Sequence, residues 1–377
     1  MKGIIEETIE LHAKNNGKIS ITSKVFLKNR HDLALAYTPG VGQISLEIAR
    51  DKSLARTYTM KHNSVAVVTD GSSILGLGNL GPEAAIPVME GKAALFKEFA
   101  GIDAFPICLA TQDPEEIIKT VTYLAPEFGG INLEDIAAPK CFEIERRLVQ
   151  SLDIPVMHDD QRGTATVVLA ALLNALKVKG SDKSIKIVIN GAGAAGTAIT
   201  NILLLYGFSD LIVCDSKGSL HSKRENLGQE KLSLVQRTNR KNAQGSLGDV
   251  LKNADVFIGV SKGNLVTRDM VKSMNPRPVV FALANPIPEI MPEEAKSGGA
   301  FIVATGRSDF PNQVNNVLAF PGIFRGALDK NITKITDRML IRAAENLANY
   351  ISDPNPESII PDVFDRAVVS LVAEAIK

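Results

Sequence analysis

Apolar residues in this chain follow two spacings that alternate along its length. Short runs of adjacent β-branched and aliphatic residues occur at Val65–Val68, Phe105–Leu109, within 129–136 and at Ile154–His158. They return at 185–190, 211–215, 255–260, 278–283 and 301–304. Near-continuous runs of this length predict parallel strands covered on both faces. Between them the apolar positions recur every three to four residues, so Gly3–Asn15, Pro87–Ala100, Pro139–Gln150, Gly163–Leu176 and Thr197–Tyr206 read as helices. Another opens with Asp113 as N-cap and Pro114 in its first position. Two more helices, Thr333–Tyr350 and Pro361–Ile376, close the chain, the first with an apolar stripe of Leu340, Ala343, Ala344, Leu347 and Ile351. Gly17–Leu27 reads as irregular or extended, and the charged, glycine-containing stretch 217–226 as a surface loop. The alternation predicts an α/β fold of two units: an N-terminal α/β domain over 1–160, then a doubly wound parallel sheet over 161–377 with C-terminal helices. A chain of 377 residues is long enough for two such cores.

The richest segment is Ile185–Ser216, IKIVINGAGAAGTAITNILLLYGFSDLIVCDS. Gly191-x-Gly193-x-x-Gly196 joins the first strand to the Thr197–Tyr206 helix, and Asp215 ends the next strand about 20 residues on, the layout of a Rossmann dinucleotide-binding unit. The glycines allow a tight turn and close backbone approach, and the free N–H groups of the helix start face a pyrophosphate. Gly191, Gly193, Ala194, Ala195 and Gly196 are the candidate cofactor-binding residues, with Asp215 as the ribose acceptor. A carboxylate there favours NAD and repels a 2′-phosphate. Lys217 offers compensating positive charge and keeps NADP as the alternative. The competing reading is a tight βα turn that binds nothing.

Composition excludes several classes. Lysine plus arginine equals aspartate plus glutamate at 42 each, so no net field draws nucleic acid or an anionic membrane. No apolar run is long enough to span a bilayer, and no signal peptide opens the chain. Cys108, Cys141 and Cys214 form no C-x-x-C spacing; Cys108 and Cys214 read as buried thiols, and a cytoplasmic location is expected.

Candidate chemistry lies in the N-terminal half. Glu134-Asp135 and Asp159-Asp160 each follow a strand, on the edge where ligands bind in α/β sheets. Hard oxygen ligands without nearby cysteine suit Mg²⁺ or Mn²⁺; the alternative is that these acids are helix caps and solvated turn residues. Lys92 sits in an apolar helical stretch, where burial lowers a lysine's pKa toward that of a base, unless its head snorkels to water. Tyr37 precedes Thr38-Pro39-Gly40-Val41-Gly42, read as a loop, and is otherwise a packed aromatic. His158, beside the acid pair, reads as structural.

Seven further segments occur in order: Ala36-Tyr-Thr-Pro-Gly-Val-Gly, Val68-Thr-Asp-Gly-Ser-Ser-Ile-Leu-Gly-Leu-Gly-Asn, Glu90-Gly-Lys-Ala, Asn132-Leu-Glu-Asp-Ile, His158-Asp-Asp-Gln-Arg-Gly-Thr-Ala, Phe281-Ala-Leu-Ala-Asn-Pro and Asn315-Asn-Val-Leu-Ala-Phe-Pro-Gly. With the glycine fingerprint they make nearly the whole chain resemble malic enzymes, in their short prokaryotic form. The resemblance implies oxidative decarboxylation of malate to pyruvate and CO₂ by NAD(P), in an N-terminal catalytic and metal-binding domain followed by the nucleotide domain. It implies Tyr37 as general acid, Lys92 as general base, and Glu134, Asp135 and Asp160 as ligands of Mg²⁺ or Mn²⁺, with Asp159 in support. Asn285, Asn315 and Asn316 would contact substrate, and Asn285 the nicotinamide as well. Larger relatives carry an arginine where this chain has Ser73, which leaves the C4-carboxylate partner to another group such as Arg162. A homodimer or higher homo-oligomer is expected. The competing functions are malolactic conversion of malate to lactate on tightly held NAD, a dehydrogenase for another 2-hydroxy diacid, and a non-catalytic nucleotide sensor.

Overall fold

The computed structural model describes residues 2–377. Ten strands form two sheets among the described residues: β1 Ser64–Thr69, β2 Asp103–Cys108, β3 Gly130–Leu133, β4 Val156–His158, β5 Lys186–Asn190, β6 Asp210–Asp215, β7 Gly218–Ser219, β8 Val256–Gly259, β9 Val279–Ala282 and β10 Ile302–Thr305. The first sheet is parallel, in the order β2-β1-β3-β4. The second runs β10-β9-β8-β5-β6-β7, parallel except for β7, which pairs antiparallel to β6 through Asp215 and Gly218. Strand order reverses between β5 and β8, which opens a crevice at the carboxyl ends of those strands.

Helix Asp159–Lys179 links the sheets without a break: it starts directly after β4 and ends at Gly180, in the left-handed conformation. Fifteen of its residues are buried, including Val167, Val168, Leu169 and Leu172, because helices cover it on several sides. It packs against helices Ala194–Tyr206 and Asp337–Tyr350. One apolar cluster joins Val65, Met89 and Phe96 of the first unit to Ile187 and Val256 of the second through Phe320 and Phe324. Phe96 meets those two rings edge-on at 4.7 and 5.5 Å.

Several boundaries differ from the sequence expectations for identifiable reasons. The helix expected from Pro87 begins at Pro82, a residue whose missing N–H costs nothing in the first turn. Pro87 lies inside it, and its carbonyl accepts a bond from Lys18 Nζ at 2.6 Å. Tyr37 ends helix Arg30–Ala36, and a new helix, Gly40–Arg50, starts where a loop was expected. Helix Asp159–Lys179 starts four residues earlier than read, which brings Asp159 and Asp160 into its first turn. The stretch 217–226 is not wholly a surface loop, since Gly218, Ser219 and Leu220 are buried in the β7 turn. The closing helices are Asp337–Tyr350 and Ala367–Ala375, shorter than expected, and Ile351 caps the first. Cys214 and Cys141 are buried, but Cys108 is only half-buried. No residue from Gly3 to Asn63 is buried, although Ile9, Ile21, Phe26 and Leu35 are exposed there.

Candidate active site

The first site is assembled at the carboxyl ends of β3 and β4. Lys92 comes from the face of helix Pro82–Ala100 that also buries Ala85, Met89 and Phe96. Its head does not snorkel: the side chain is 7% exposed, with Nζ 2.5 Å from Asp159 Oδ2, 2.9 Å from Glu134 Oε1 and 4.0 Å above the Phe320 ring. The same Asp159 oxygen accepts from Asn316 Nδ2 at 2.6 Å. Gly163, one turn along from Asp159, leaves the carboxylate its place; a Cβ there would lie 1.8 Å from Asp159 Oδ1. Burial alone pushes the lysine's pKa down, but Asp159 and Glu134 outweigh it, and the ammonium is held above the ordinary lysine range. The expectation of a lysine made basic by burial is corrected on this point. Burial pushes Asp159 up to about 7 against the pull of Lys92. These directions oppose each other, and the geometry decides for the ion pair, since one carboxylate oxygen receives two donors and the ammonium has two carboxylates.

Glu134 and Asp135 follow β3 directly. Asp135 has a left-handed backbone (φ 52°), donates its N–H to Asp160 Oδ2 at 2.8 Å and accepts from Ser73 N–H at 3.0 Å through its carbonyl. Burial, with Asp160 and Glu134 close by, raises its carboxyl to about 9, and Glu134 is raised by burial and Asp160 against the pull of Lys92. Among the described residues no three carboxylate, imidazole or thiol side chains form a ready metal cage. Glu134 is turned toward Lys92, and Asp160 toward the Asp135 N–H. The donor set nonetheless fits a hard divalent cation. Lys92 pairs with two carboxylates, Asp135 and Asp160 adjoin them, and Asp135 Oδ2 and Asp159 Oδ1 are buried without any hydrogen-bond donor. The ring nitrogens of His158 are likewise unpartnered by hydrogen bonds, with Nε2 3.5 Å from Asp160 Oδ2.

The second site is a cleft of about 1970 Å³ between the glycine turn after β5 and helix Lys140–Ser151 of the first unit. The three fingerprint glycines serve different needs. Gly191 has φ +125°, and a Cβ would meet Val260 O at 2.7 Å. Gly196 packs so closely that a Cβ would stand 1.6 Å from Gly191 O. Gly193 faces open space, with nothing within 4 Å of a Cβ. Ala194 and Ala195 then open helix Ala194–Tyr206, whose first N–H groups have no partner within the helix. This is the arrangement a pyrophosphate requires.

Family models agree with this geometry. "Malic enzyme, N-terminal domain" matches residues 16–115 and 110–149, and "Malic enzyme, NAD binding domain" matches 161–376. The chain belongs to the malic enzyme family. It is 55% identical over 375 residues to the bifunctional malic/malolactic enzyme of Bacillus subtilis, covering 98% of this chain and 92% of that one. It is 52% identical over 376 residues to the NAD-dependent malic enzyme of Geobacillus stearothermophilus, covering 99% and 78%. The crystal structure of the NAD-dependent malic enzyme from Thermotoga maritima superposes with a TM-score of 0.95 at 51% identity, covering 98% of each chain.

Within this malic enzyme fold, some of the residues singled out from sequence are brought together and others are not. Lys92, Glu134, Asp159 and Asn316 touch one another, and Asp135 and Asp160 adjoin them. Asn285 follows β9, exposed, with its carbonyl beside Gly76 and its amide beside Gly306, between the two units. Asn315 is occupied as a cap, accepting from Val317 N–H at 3.0 Å. Tyr37 is 64% exposed, and its hydroxyl has no hydrogen-bond partner among the described residues. Arg162 is neither exposed nor free: it donates to Glu145 at 2.7 Å and to Asp337 at 2.9 Å. Asp215 also departs from expectation. Its Oδ1 accepts from Lys217 N–H at 2.9 Å and Arg224 Nη1 at 3.2 Å; its Oδ2 accepts from Arg224 Nη2 at 3.0 Å and Lys231 Nζ at 2.7 Å. Burial works against these bonds, but they hold its carboxyl down at about 2. Arg224 and Lys231 escaped the sequence reading because they lie in and beyond a stretch read as solvated loop; the only signal was the density of basic residues after Asp215.

Proposed function

We propose that this chain catalyses the divalent-metal-dependent oxidative decarboxylation of (S)-malate to pyruvate and CO₂, with reduction of a nicotinamide dinucleotide. The observation that carries the reading is the buried Lys92–Asp159–Glu134 cluster in a chain that also has an open dinucleotide turn. Glu134, Asp135 and Asp160 would hold Mg²⁺ or Mn²⁺, which when bound supplies positive charge to buried carboxylates and to developing charge on oxygen. Lys92 Nζ passes its proton to Asp159, 2.5 Å away, and the free amine so formed takes the proton of the substrate's C2 hydroxyl. Asn316 holds Asp159 in place, and Asn285, beside both units, is assigned to substrate and nicotinamide. A dinucleotide bound at the Gly191–Gly196 turn would supply the acceptor for the C2 hydride. Tyr37 is the acid that returns a proton to C3 once CO₂ has left, so that the hydroxyl proton removed is balanced by the carbon proton gained.

Tyr37 does not contact Lys92 in its own chain, and the segment around it exposes Phe26, Leu33 and Leu35. We read this segment as the surface of a homodimer, in which each copy's Tyr37 serves the partner's Lys92. The free thiols of Cys108, Cys141 and Cys214 favour the cytoplasm. Mixing Tyr37→Phe with Lys92→Ala tests both roles. If the tyrosine acts across the dimer, half of the dimers in a random equal mixture are hybrids with one intact site each, and about a quarter of wild-type activity returns. No recovery would place both residues in one chain. A second reading, lactate formation on retained NADH, is favoured by the B. subtilis relative, which is named a bifunctional malic/malolactic enzyme. Stoichiometric NADH and pyruvate from malate support the first reading; lactate without free NADH supports the second.

A further inference from the structure

We infer that Arg224 and Lys231 make the ribose end of the cleft a 2′-phosphate site, so that this chain takes NADP at least as readily as NAD. The inference rests on the reading of the cleft as a dinucleotide site and goes beyond it to the choice of cofactor. Asp215 ends β6, where a free ribose hydroxyl would donate to an unoccupied carboxylate. Here that carboxylate accepts four bonds, three of them from charged donors. A neutral hydroxyl would have to displace one of these stronger, charge-assisted bonds.

The cations still have donors to spare. A guanidinium carries five N–H groups, and Arg224 directs two nitrogens at Asp215, one of which also donates to Ser219 O at 3.2 Å. Lys231 uses one of its three donors on Asp215, and its side chain is 36% exposed beside the cleft. Asp215, Arg224 and Lys231 together carry one net positive charge, so a phosphate dianion meets an attractive cluster and not the bare carboxylate the sequence suggested. Glu225 and Glu230 also line the cleft but make no hydrogen bond or ion pair to this group among the described residues. Asp215 acts here as the brace that orients two cations, and Arg224 and Lys231 set the specificity.

The test titrates NADPH and NADH, by nicotinamide fluorescence, into the wild-type chain and into Arg224→Gln and Lys231→Gln. Thermal melting checks that each variant is folded. Wild type is expected to bind NADPH no more weakly than NADH. Arg224→Gln and Lys231→Gln should each weaken NADPH about tenfold or more, the loss of one charge-assisted bond, and change NADH less than about threefold. Wild type binding NADH more than about tenfold tighter than NADPH would overturn the inference, as would equal loss of both dinucleotides in the Arg224 and Lys231 variants. Failure of wild type to bind either dinucleotide would overturn the reading of the cleft itself.

Discussion

Gly163→Ala places one methyl group against the group that holds Lys92, and its cost follows from two distances. The new Cβ would stand 1.8 Å from Asp159 Oδ1 and 3.4 Å from Asn316 Cβ. To reach ordinary contact, Oδ1 must retreat by roughly 1.5–2 Å. Gly163 and Asp159 lie four residues apart on one buried helix, so the backbone has little freedom and the carboxylate must rotate. Rotation breaks the 2.5 Å bond to Lys92 and the 2.6 Å bond to Asn316, because both end on the other oxygen of the same group. Overpacking of this kind costs about 1–3 kcal/mol, and misplacing a catalytic group by about 1 Å costs on the order of 100-fold in rate. We therefore expect a folded variant with a Tm lowered by a few degrees, kcat for malate-dependent NADH formation down about 100-fold, and dinucleotide affinity within about twofold of wild type. A variant with kcat within about threefold of wild type would refute the claim that Asp159 positions Lys92.

Other perturbations separate roles that the sequence alone merges. Gly196→Ala, with its Cβ 1.6 Å from Gly191 O, should lower Tm measurably, whereas Gly193→Ala should leave Tm unchanged and weaken dinucleotide binding by filling the open space of the turn. Arg162→Gln leaves Glu145, a buried acid that also accepts the His158 N–H at 3.0 Å, without its cation. A loss of about 3 kcal/mol in a denaturant melt is expected; a raised KM for malate with an unchanged melt would instead make Arg162 the C4-carboxylate partner. Asp135 is held above the unfolded carboxylate range, so its contribution to stability is present in acid and is lost as pH rises toward about 9. Tm in chelator should fall from about pH 5 to about pH 9, and the increment from added Mn²⁺ should grow over the same window. An increment independent of pH would argue against Asp135 as a ligand.

The strands were legible because parallel strands covered on both faces need apolar residues at nearly every position, as in Val65–Val68 and Ile187–Ile189. The glycine turn was legible for a related reason: three positions that cannot carry a Cβ, or must leave space, are written as glycine in the sequence. The long helix starting at Asp159 was read short because Asp159, Asp160 and Arg162 look like loop residues. They are helical because Asp159 and Arg162 are satisfied from elsewhere in the chain, by Lys92, Asn316, Glu145 and Asp337. Partners that distant in sequence leave no local pattern to read.

The electrostatic readings fared worst, for the same reason. A lysine in an apolar stretch predicts a depressed pKa only if it is buried alone, and Lys92 is buried between two acids that follow separate strands. An aspartate at the end of a Rossmann strand predicts a free ribose acceptor only if its own lone pairs are free, and Asp215 has spent them on Arg224, Lys231 and Lys217. In both places the sequence identifies the group and its position, but its charge state depends on what the fold brings within 3 Å. A motif residue therefore specifies where a ligand meets the protein. What it does to that ligand is set by its neighbours, and at Asp215 those neighbours are two cations, Arg224 and Lys231, that the local sequence pattern does not reveal.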